Sequence, residues 1–598
     1  MQVTRKPSDN FTRLFDVLAY QLAKYPNEKA LNESVNGLWK GYSIQEIIER
    51  VNHLSCWFIR NGCTSGQKII LAPVAGSPAW MIIDFACQQV GLITVPIHSN
   101  STSADFDLII TETESSLCIA ADRSIYDTIL ASVERTKSTA RTYHLDSTHE
   151  GYFEALKEKE SSNELEKLAS LKESISPDDL VTILYTSGSS GTPKGVMLSH
   201  NNIAFNIKAV LMLLPLEPHY RVLSFLPFSH ILERMACYSY LAFGVSLYFN
   251  SSKESFAEDF KTVRPHFCTS VPRVLEKMYD FMLEQMMNRN FIQRKTIGWA
   301  LHVGKQYGSG KIRFVYFVKL TLARWLVLGL WRKKLGGKIR HMVVGAASLR
   351  PEIGKLFSAA GIQIIEGYGM TETAPLIAVN RFEPGLNMFG TVGLIVPGVD
   401  LKIDSPSETG EGEIMVKGPN LTQGYFKRQE LNSEVFTSEG WFKTGDVGMF
   451  VKGRFLKITD RKKDIFKTSA GKYIAPQPLQ NHFNKSPFIQ RCLIIGFQKP
   501  FVTALLVPHF EILQAWCLQE GIHWTSPQFM VYNIKVRARM QQEIDTLNEA
   551  LPNIERIKDF VLCHQDWTLE SGELTPTLKP IRLRIMDHYK AEIEKMYG

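Results

Sequence analysis

The chain has 598 residues and a formal net charge of +8, with 44% hydrophobic and 21% charged residues. That length exceeds what one ordinary core supports, so several domains are expected, in a composition typical of a soluble globular protein. Nine scattered cysteines, from Cys56 to Cys563 and with no C-x-x-C, exclude a disulfide framework or a zinc site and suit reduced thiols in the cytoplasm. The opening residues Met1–Asn10 lack an apolar h-region, so no secretory signal is read there.

In chain order, Phe15–Lys24 and Ile44–Arg60 carry helical patterns. Lys68–Pro73 and Gly91–Ile97 are apolar runs of strand length, with a helix at Ala79–Gln89 between them, which is βαβ grammar. Lys157–Glu173 is charged and predicts a surface helix. The run Leu180–Leu184 predicts a buried strand, and it feeds a Gly/Ser-rich segment, Tyr185-Thr-Ser-Gly-Ser-Ser-Gly-Thr-Pro-Lys-Gly-Val196. Gly188, Gly191 and Gly195 allow close backbone approach to a ligand. Thr186, Ser187, Ser189, Ser190 and Thr192 bring hydroxyls, and Lys194 brings a cation. Such a loop leaving a strand aims N–H groups at an anion, so phosphate binding is expected, although the Walker spacing is absent.

Further short strands are predicted at Val222–Pro227, His266–Pro272, Ile339–Val344 and Ile362–Glu366, several of them leading into Gly or Pro turns where ligands bind at strand ends. Between Gln285 and Pro351 stand fourteen Lys and Arg and no Asp or Glu. The apolar run Phe314–Trp331 lies in their midst, and Lys319 and Arg324 interrupt it, so no uninterrupted span of about 20 apolar residues is present. On a helical wheel Phe314, Phe317, Val318, Trp325 and Leu328 share one face. Two readings stand: a helix lying on an anionic membrane surface, or a packed helical hairpin with solvated lysines. Around Val392–Tyr425 short Gly-punctuated strands predict a small β-subdomain. After Asp460 two strands (Cys492–Gly496 and Thr503–Pro508) and helices at Ser526–Ala550 and Pro580–Met596 predict a separate small α+β domain.

The 185–196 segment resembles the ATP-binding signature of the adenylate-forming (AMP-binding) superfamily, whose members activate carboxylic acids with ATP. Four further segments resemble its motifs in the same order. Glu366–Thr373 is similar to the adenine and Mg²⁺ motif, Gly440–Asp446 to the ribose motif, Asp460–Asp464 to the hinge and Gly572–Lys579 to the C-terminal lysine motif. The nearest likeness is to long-chain acyl-CoA synthetases and covers nearly the whole chain.

The resemblance implies an α/β fold: a large N-terminal domain over 1–459, of mixed and parallel sheets flanked by helices with a β-subdomain at about 390–459, and a small mobile α+β domain over 460–598. It implies ATP, Mg²⁺ and CoA, a long-chain fatty acid substrate and no nucleic-acid partner, and it leaves the oligomeric state open, with a homodimer among the options. The enzyme is expected in the cytoplasm or at the inner face of a membrane. By position, residues 186–192 and Lys194 hold phosphates, and Tyr368 and Gly369 border the adenine. Thr371 contacts the α-phosphate, and Glu372 with Thr186 holds Mg²⁺. Asp446 and Arg461 hold the ribose, His230 lines the acyl-adenylate pocket, and Lys579 bridges the carboxylate and the α-phosphate. Asp460 is the hinge, and Gly471 lets the pantetheine arm pass.

Two departures stand out. Ala470 replaces a usual glycine before Gly471, and Val344-Gly-Ala-Ala-Ser-Leu349 stands where the family usually has Gly-Gly-Ala-Pro-Leu or similar beside the acyl pocket. The implied reaction joins the carboxylate to AMP and then transfers the acyl group to CoA. The alternative is an acyl-AMP ligase that serves a carrier protein, and a third reading is an idle membrane-surface protein that keeps the fold.

Overall fold

The computed structural model describes residues 11–72, 76–98, 101–146, 153, 162–187, 193–250, 252, 254–287, 290–308, 314–462, 464–469, 473–568, 571–575 and 580–598. Contacts divide the chain into two compact units. The first is Met1–Leu401, Val416–Phe442 and Val451–Leu456; the second is Lys402–Met415, Lys443–Phe450 and Lys457–Gly598.

Two large sheets organise the first unit. One has nine strands in the order 394–395, 376–379, 363–369, 341–344, 267–270, 221–224, 246–249, 31–35 and 38–42. Its middle strands run parallel, and antiparallel pairs close both edges. The other has seven strands, in the order 424–425, 193–199, 180–187, 93–96, 68–72, 117–120 and 141–144. Its last five strands are parallel, as βαβ connections require. Both faces of these strands are covered, so they read as continuous apolar runs: Ile69, Ile70, Leu71 and Ala72 are all buried.

Helix ends obey local chemistry. Ser43 caps Ile44–Arg60 by accepting from the Glu46 N–H, while Glu46 reaches back to the Ser43 N–H. Ser199 and Asn202 form the same reciprocal cap on His200–Leu213. That cap ends the strand Pro193–Ser199 and turns the chain directly into the helix.

Helix Pro272–Met287 leads into the acid-free region, which forms helix Phe291–Lys305 and then a helix that runs from Phe314 to Lys334. Residues Arg324–Leu328 of the last make a π turn, and a Cβ on Gly329 would lie 2.6 Å from the Arg324 carbonyl oxygen. The wider turn inserts a residue and rotates the following face. The wheel reading is corrected accordingly: Trp325 is exposed and Leu328 fully buried, although a regular helix would put them on one side.

The second unit holds most of a four-stranded sheet, in the order 400–404, 412–417, 442–451 and 455–461. It also holds a three-stranded sheet of Ile489–Ile495, Val502–Pro508 and Ile557–Leu562. The long helix expected at Ser526–Ala550 is two, Pro527–Met530 and Ile534–Asn548. Asn533 breaks it, because its side chain accepts from the N–H groups of Lys535 and Val536 and starts the second helix. The helix expected at Pro580–Met596 likewise divides, into Arg582–His588 and Lys590–Lys595.

Candidate functional site

The strands on either side of the Gly/Ser segment pair with each other. Strand Leu180–Ser187 pairs antiparallel with Pro193–Ser199, placing Thr186 opposite Lys194 and Tyr185 opposite Gly195. A Cβ on Gly195 would lie 2.7 Å from the Ile183 Cγ2, so the glycine lets the two strands close. Residues Gly188, Ser189, Ser190, Gly191 and Thr192 lie outside the described residues, as do Gly471 and Lys579.

Lys194 and Glu372 meet at these paired strands, with Lys194 Nζ 3.5 Å from Glu372 Oε1. Tyr425 joins them. Its hydroxyl donates to Glu372 Oε1 at 2.7 Å and accepts from Lys194 Nζ at 2.6 Å. The ammonium also lies 3.9 Å from the Tyr425 ring centroid, inside cation–π range. Burial, then the Glu372 carboxylate, pushes the Tyr425 hydroxyl well above its ordinary range, so the phenol stays a donor. Lys194 keeps 24% of its side-chain surface and Glu372 only 6%. Among the described residues, the buried Thr186 Oγ1 has no hydrogen-bond partner.

Backbone geometry sets this convergence. Thr371–Thr373 form one 3₁₀ turn after the strand Gln363–Gly369. The Met370 N–H donates to the Pro375 carbonyl at 3.0 Å, folding the turn back on the strand. A Cβ on Gly369 would sit 1.8 Å from that Pro375 oxygen, so only glycine fits. Tyr368 and Thr371 remain partly exposed on the same segment, whereas Glu372 turns inward.

The helix His200–Leu213 ties the parts together. Asn206 Nδ2 donates to the Thr373 carbonyl, and Asn206 Oδ1 accepts from the Leu376 N–H. Asn202 Nδ2 donates to the carbonyls of Pro419 and Leu421. The Thr422 N–H then donates to the Glu372 carbonyl at 2.8 Å. Reading the sequence missed Tyr425, Asn202 and Asn206. A signal for the pair existed: two asparagines at i and i+4 in an apolar helix need buried partners.

His230 stands at the N-terminus of helix Ile231–Ala242, with its ring 6.1 Å from that of His98. One turn on, Arg234 is fully buried and its three guanidinium nitrogens all donate. They reach Asp84, Tyr238, Thr182 Oγ1 and Thr94 Oγ1, with the Asp84 contact at 2.5 Å. This cluster fastens the His230 helix to the strand Leu180–Ser187. Burial pushes the neighbouring Glu233 carboxyl up to about 7, and burial does the same to Glu366, at the head of the Tyr368 segment.

In the second unit Asp446 and Arg461 lie on adjacent strands and form an ion pair at 3.1 Å. Asp446 is buried, its N–H donates to Thr444 Oγ1, and Gly445 before it takes a left-handed φ of 72°. Asp460 is buried and accepts from the N–H groups of Arg461 and Gln477. Burial raises its carboxyl to about 6.

A buried carboxylate, a lysine beside it and a buried hydroxyl without a partner thus lie next to the Gly/Ser segment, and comparison with known proteins gives the chain a family. The AMP-binding enzyme family model matches residues 18–426, and the AMP-binding enzyme C-terminal domain model matches 463–598. The chain belongs to the AMP-binding enzyme family. Relatives include the long-chain-fatty-acid–CoA ligase FadD15 of Mycobacterium bovis, 28% identical over 94% of this chain and 93% of that protein. The peroxisomal long chain acyl-CoA synthetase 6 of Arabidopsis thaliana is 30% identical over 96% of this chain and 84% of its own length. Among solved structures, the A domain of carboxylic acid reductase from Segniliparus rugosus, in complex with AMP and a co-purified carboxylic acid, superposes with a TM-score of 0.72 at 21% identity. That alignment covers 98% of this chain and 94% of the A domain. ATP-bound MatB from Rhodopseudomonas palustris gives 0.69 at 22% identity over 97% and 99%. The α/β architecture with a smaller C-terminal domain is therefore that of adenylate-forming enzymes.

Proposed function

We propose that this chain is a long-chain fatty acid–CoA ligase. A fatty acid carboxylate attacks the α-phosphorus of ATP, pyrophosphate leaves, and acyl-AMP forms. The CoA thiol sulfur then attacks the acyl carbon, AMP leaves with the bonding electrons, and the thiol proton passes to solvent. The likeness to ligases of this name along nearly the full length of both chains supports the substrate class.

The convergence of Lys194, Glu372 and the Tyr425 hydroxyl, with the unpartnered Thr186 hydroxyl on the strand opposite Lys194, carries the reading of the site. Lys194 meets the charge that grows on the phosphates, and the Tyr425 hydroxyl holds the Glu372 carboxylate in place. Mg²⁺, which supplies charge neutralisation on the leaving pyrophosphate, fits hard oxygen donors, and the Glu372 carboxylate and Thr186 hydroxyl are such donors. Asp446 accepts from both ribose hydroxyls, with Arg461 holding its carboxylate. Thr371, Tyr368 and His230 line the nucleotide and acyl sides, and Lys579 bridges carboxylate and α-phosphate. The domain reading of 1–459 and 460–598, with Asp460 as hinge and Gly471 beside the pantetheine arm, belongs to the same proposal.

The test separates the half-reactions. Wild-type protein should show palmitate-dependent pyrophosphate exchange and should form palmitoyl-CoA with free CoA. Lys579→Ala should lose exchange by several orders of magnitude, the scale of losing a transition-state cation together with its positioning. It should still convert supplied palmitoyl-AMP and CoA to the thioester. Equal loss in both steps would remove the assignment of Lys579. Thioester formation only on a holo-carrier protein would replace CoA as the acceptor.

A further inference from the structure

The helix Phe314–Lys334 presents an unusual outer face. Phe314, Phe317, Val318, Leu322, Trp325 and Leu330 are all exposed, with Phe314 and Trp325 each at 80%. Its inner face is as firmly committed. Leu320, Ala323, Val327, Leu328 and Trp331 are buried in a core they share with Leu356 and Phe357. The helix Phe291–Lys305 packs against it, where Tyr316 donates to the Val303 carbonyl, and adds exposed Phe291 and Ile292 at its first turn.

By length and composition Phe314–Lys334 is apolar enough to cross a membrane, and its 21 residues span about 30 Å. Crossing would strip Trp331 and Leu328 from the core. A helix that keeps its inner face packed and shows an apolar outer face lies along an interface instead. The surrounding charge says which one. The stretch from Gln285 to Pro351 has fourteen basic residues and no acid. Lys295, Lys319, Lys333 and Lys338 are exposed, and among the described residues none of them forms an ion pair. Arg324 and Arg350 are engaged inward, with the Ala359 carbonyl and Glu276. An apolar strip flanked by unneutralised cations complements a bilayer with anionic headgroups better than a protein core, which would leave those lysines buried or unpaired.

We propose that the outer face of Phe314–Lys334 docks this protein on an anionic lipid surface. Trp325 sits at the headgroup boundary, Phe314, Phe317 and Leu322 reach the acyl region, and Lys295, Lys319 and Lys333 contact lipid phosphates. The proposal rests on this surface alone and stands whether or not the ligase reading does.

The experiment is flotation of the full chain with vesicles of phosphatidylcholine alone and with 30% phosphatidylserine added. Two variants accompany the wild type: Phe317→Ser with Trp325→Ser, and Lys295→Glu with Lys319→Glu and Lys333→Glu. Circular dichroism melting confirms that both are folded, since every changed side chain is exposed. Wild type should float with the anionic vesicles and release as salt rises. The triple charge variant should bind roughly a hundredfold more weakly, at about fivefold per lost cation. The double apolar variant should bind at least tenfold more weakly in low salt. Wild type that stays unbound, or variants that float like wild type, would overturn the proposal. A concentration-dependent dimer that the apolar variant abolishes, without vesicle binding, would assign the face to a second copy of this chain instead.

Discussion

Two cation–carboxylate clusters in the first unit, Arg234 with Asp84 and Lys194 with Glu372, are built oppositely. Arg234 and Asp84 have no exposed surface, and every guanidinium nitrogen has a partner within the protein. Lys194 and Glu372 lie further apart, at 3.5 Å against 2.5 Å, the lysine keeps a quarter of its surface, and the buried Thr186 hydroxyl on the paired strand has no partner. A satisfied buried pair holds helices and strands in place. A pair with an open side and an unmet hydroxyl has room for a charged ligand. Burial and partner count, not charge alone, separate a structural ion pair from a reactive one.

That contrast can be broken first at the closed cluster. Arg234→Met strands a buried carboxylate and should destabilise the protein by about 3–5 kcal/mol in urea unfolding. Adding Asp84→Leu should recover most of this, because an apolar pair no longer carries an unpaired charge. If the double variant is as unstable as the single one, the pair does more than satisfy itself.

The open cluster should respond in the other currency. Glu372→Gln and Lys194→Met should each lower the rate of palmitate-dependent pyrophosphate exchange by about 10²–10³-fold, the usual effect of losing one electrostatic stabiliser. Their unfolding midpoints should stay near that of wild type. A large stability loss with exchange intact would reverse the assignment of the two clusters.

Titration sharpens the comparison. Glu233 and Glu366 hold their protons in the folded protein up to about pH 7, whereas an unfolded glutamic acid releases its proton near 4.5. The folded state therefore binds more protons between these values, and stability should fall as pH rises through that window and level off above it. The scale is on the order of 3 kcal/mol per group. Glu233→Gln should remove its share of the slope in unfolding measured from pH 5 to 8. A slope unchanged in that variant would show that Glu233 ionises normally.

The smallest effect is expected at Tyr425. Tyr425→Phe keeps the ring beside Lys194 and removes two hydrogen bonds, one to Glu372 and one from Lys194, together worth about 1–2 kcal/mol. Pyrophosphate exchange should drop about tenfold or less. A loss as large as that of Glu372→Gln would make the phenol a direct participant.

Much of this was legible beforehand. The helix Ile44–Arg60 and the strand from Lys68 emerged where periodicity placed them, because capping residues and apolar runs act locally. The strand at Leu180–Leu184 that leads into the Gly/Ser segment was likewise readable from neighbours in sequence, whereas its pairing with Pro193–Ser199 was not. Tyr425 was not, since its role comes from a strand of two residues that pairs with Val196 across more than two hundred positions. The split at Asn533 was missed because an apolar pattern continues through it, while one side chain bonding its own backbone ends the helix.

By itself, then, the sequence determined which segments form strands and helices, which residues carry charge and hydroxyls, and that one stretch is free of acids. Those properties depend on spacing and side-chain chemistry within a few turns of chain. Only the tertiary structure decided which charges are enclosed and which remain open. It also turned Trp325 outward and Leu328 inward, because a π turn and packing against a distant core set the face of that helix. Burial depends on what the rest of the chain brings alongside, and no local pattern encodes that.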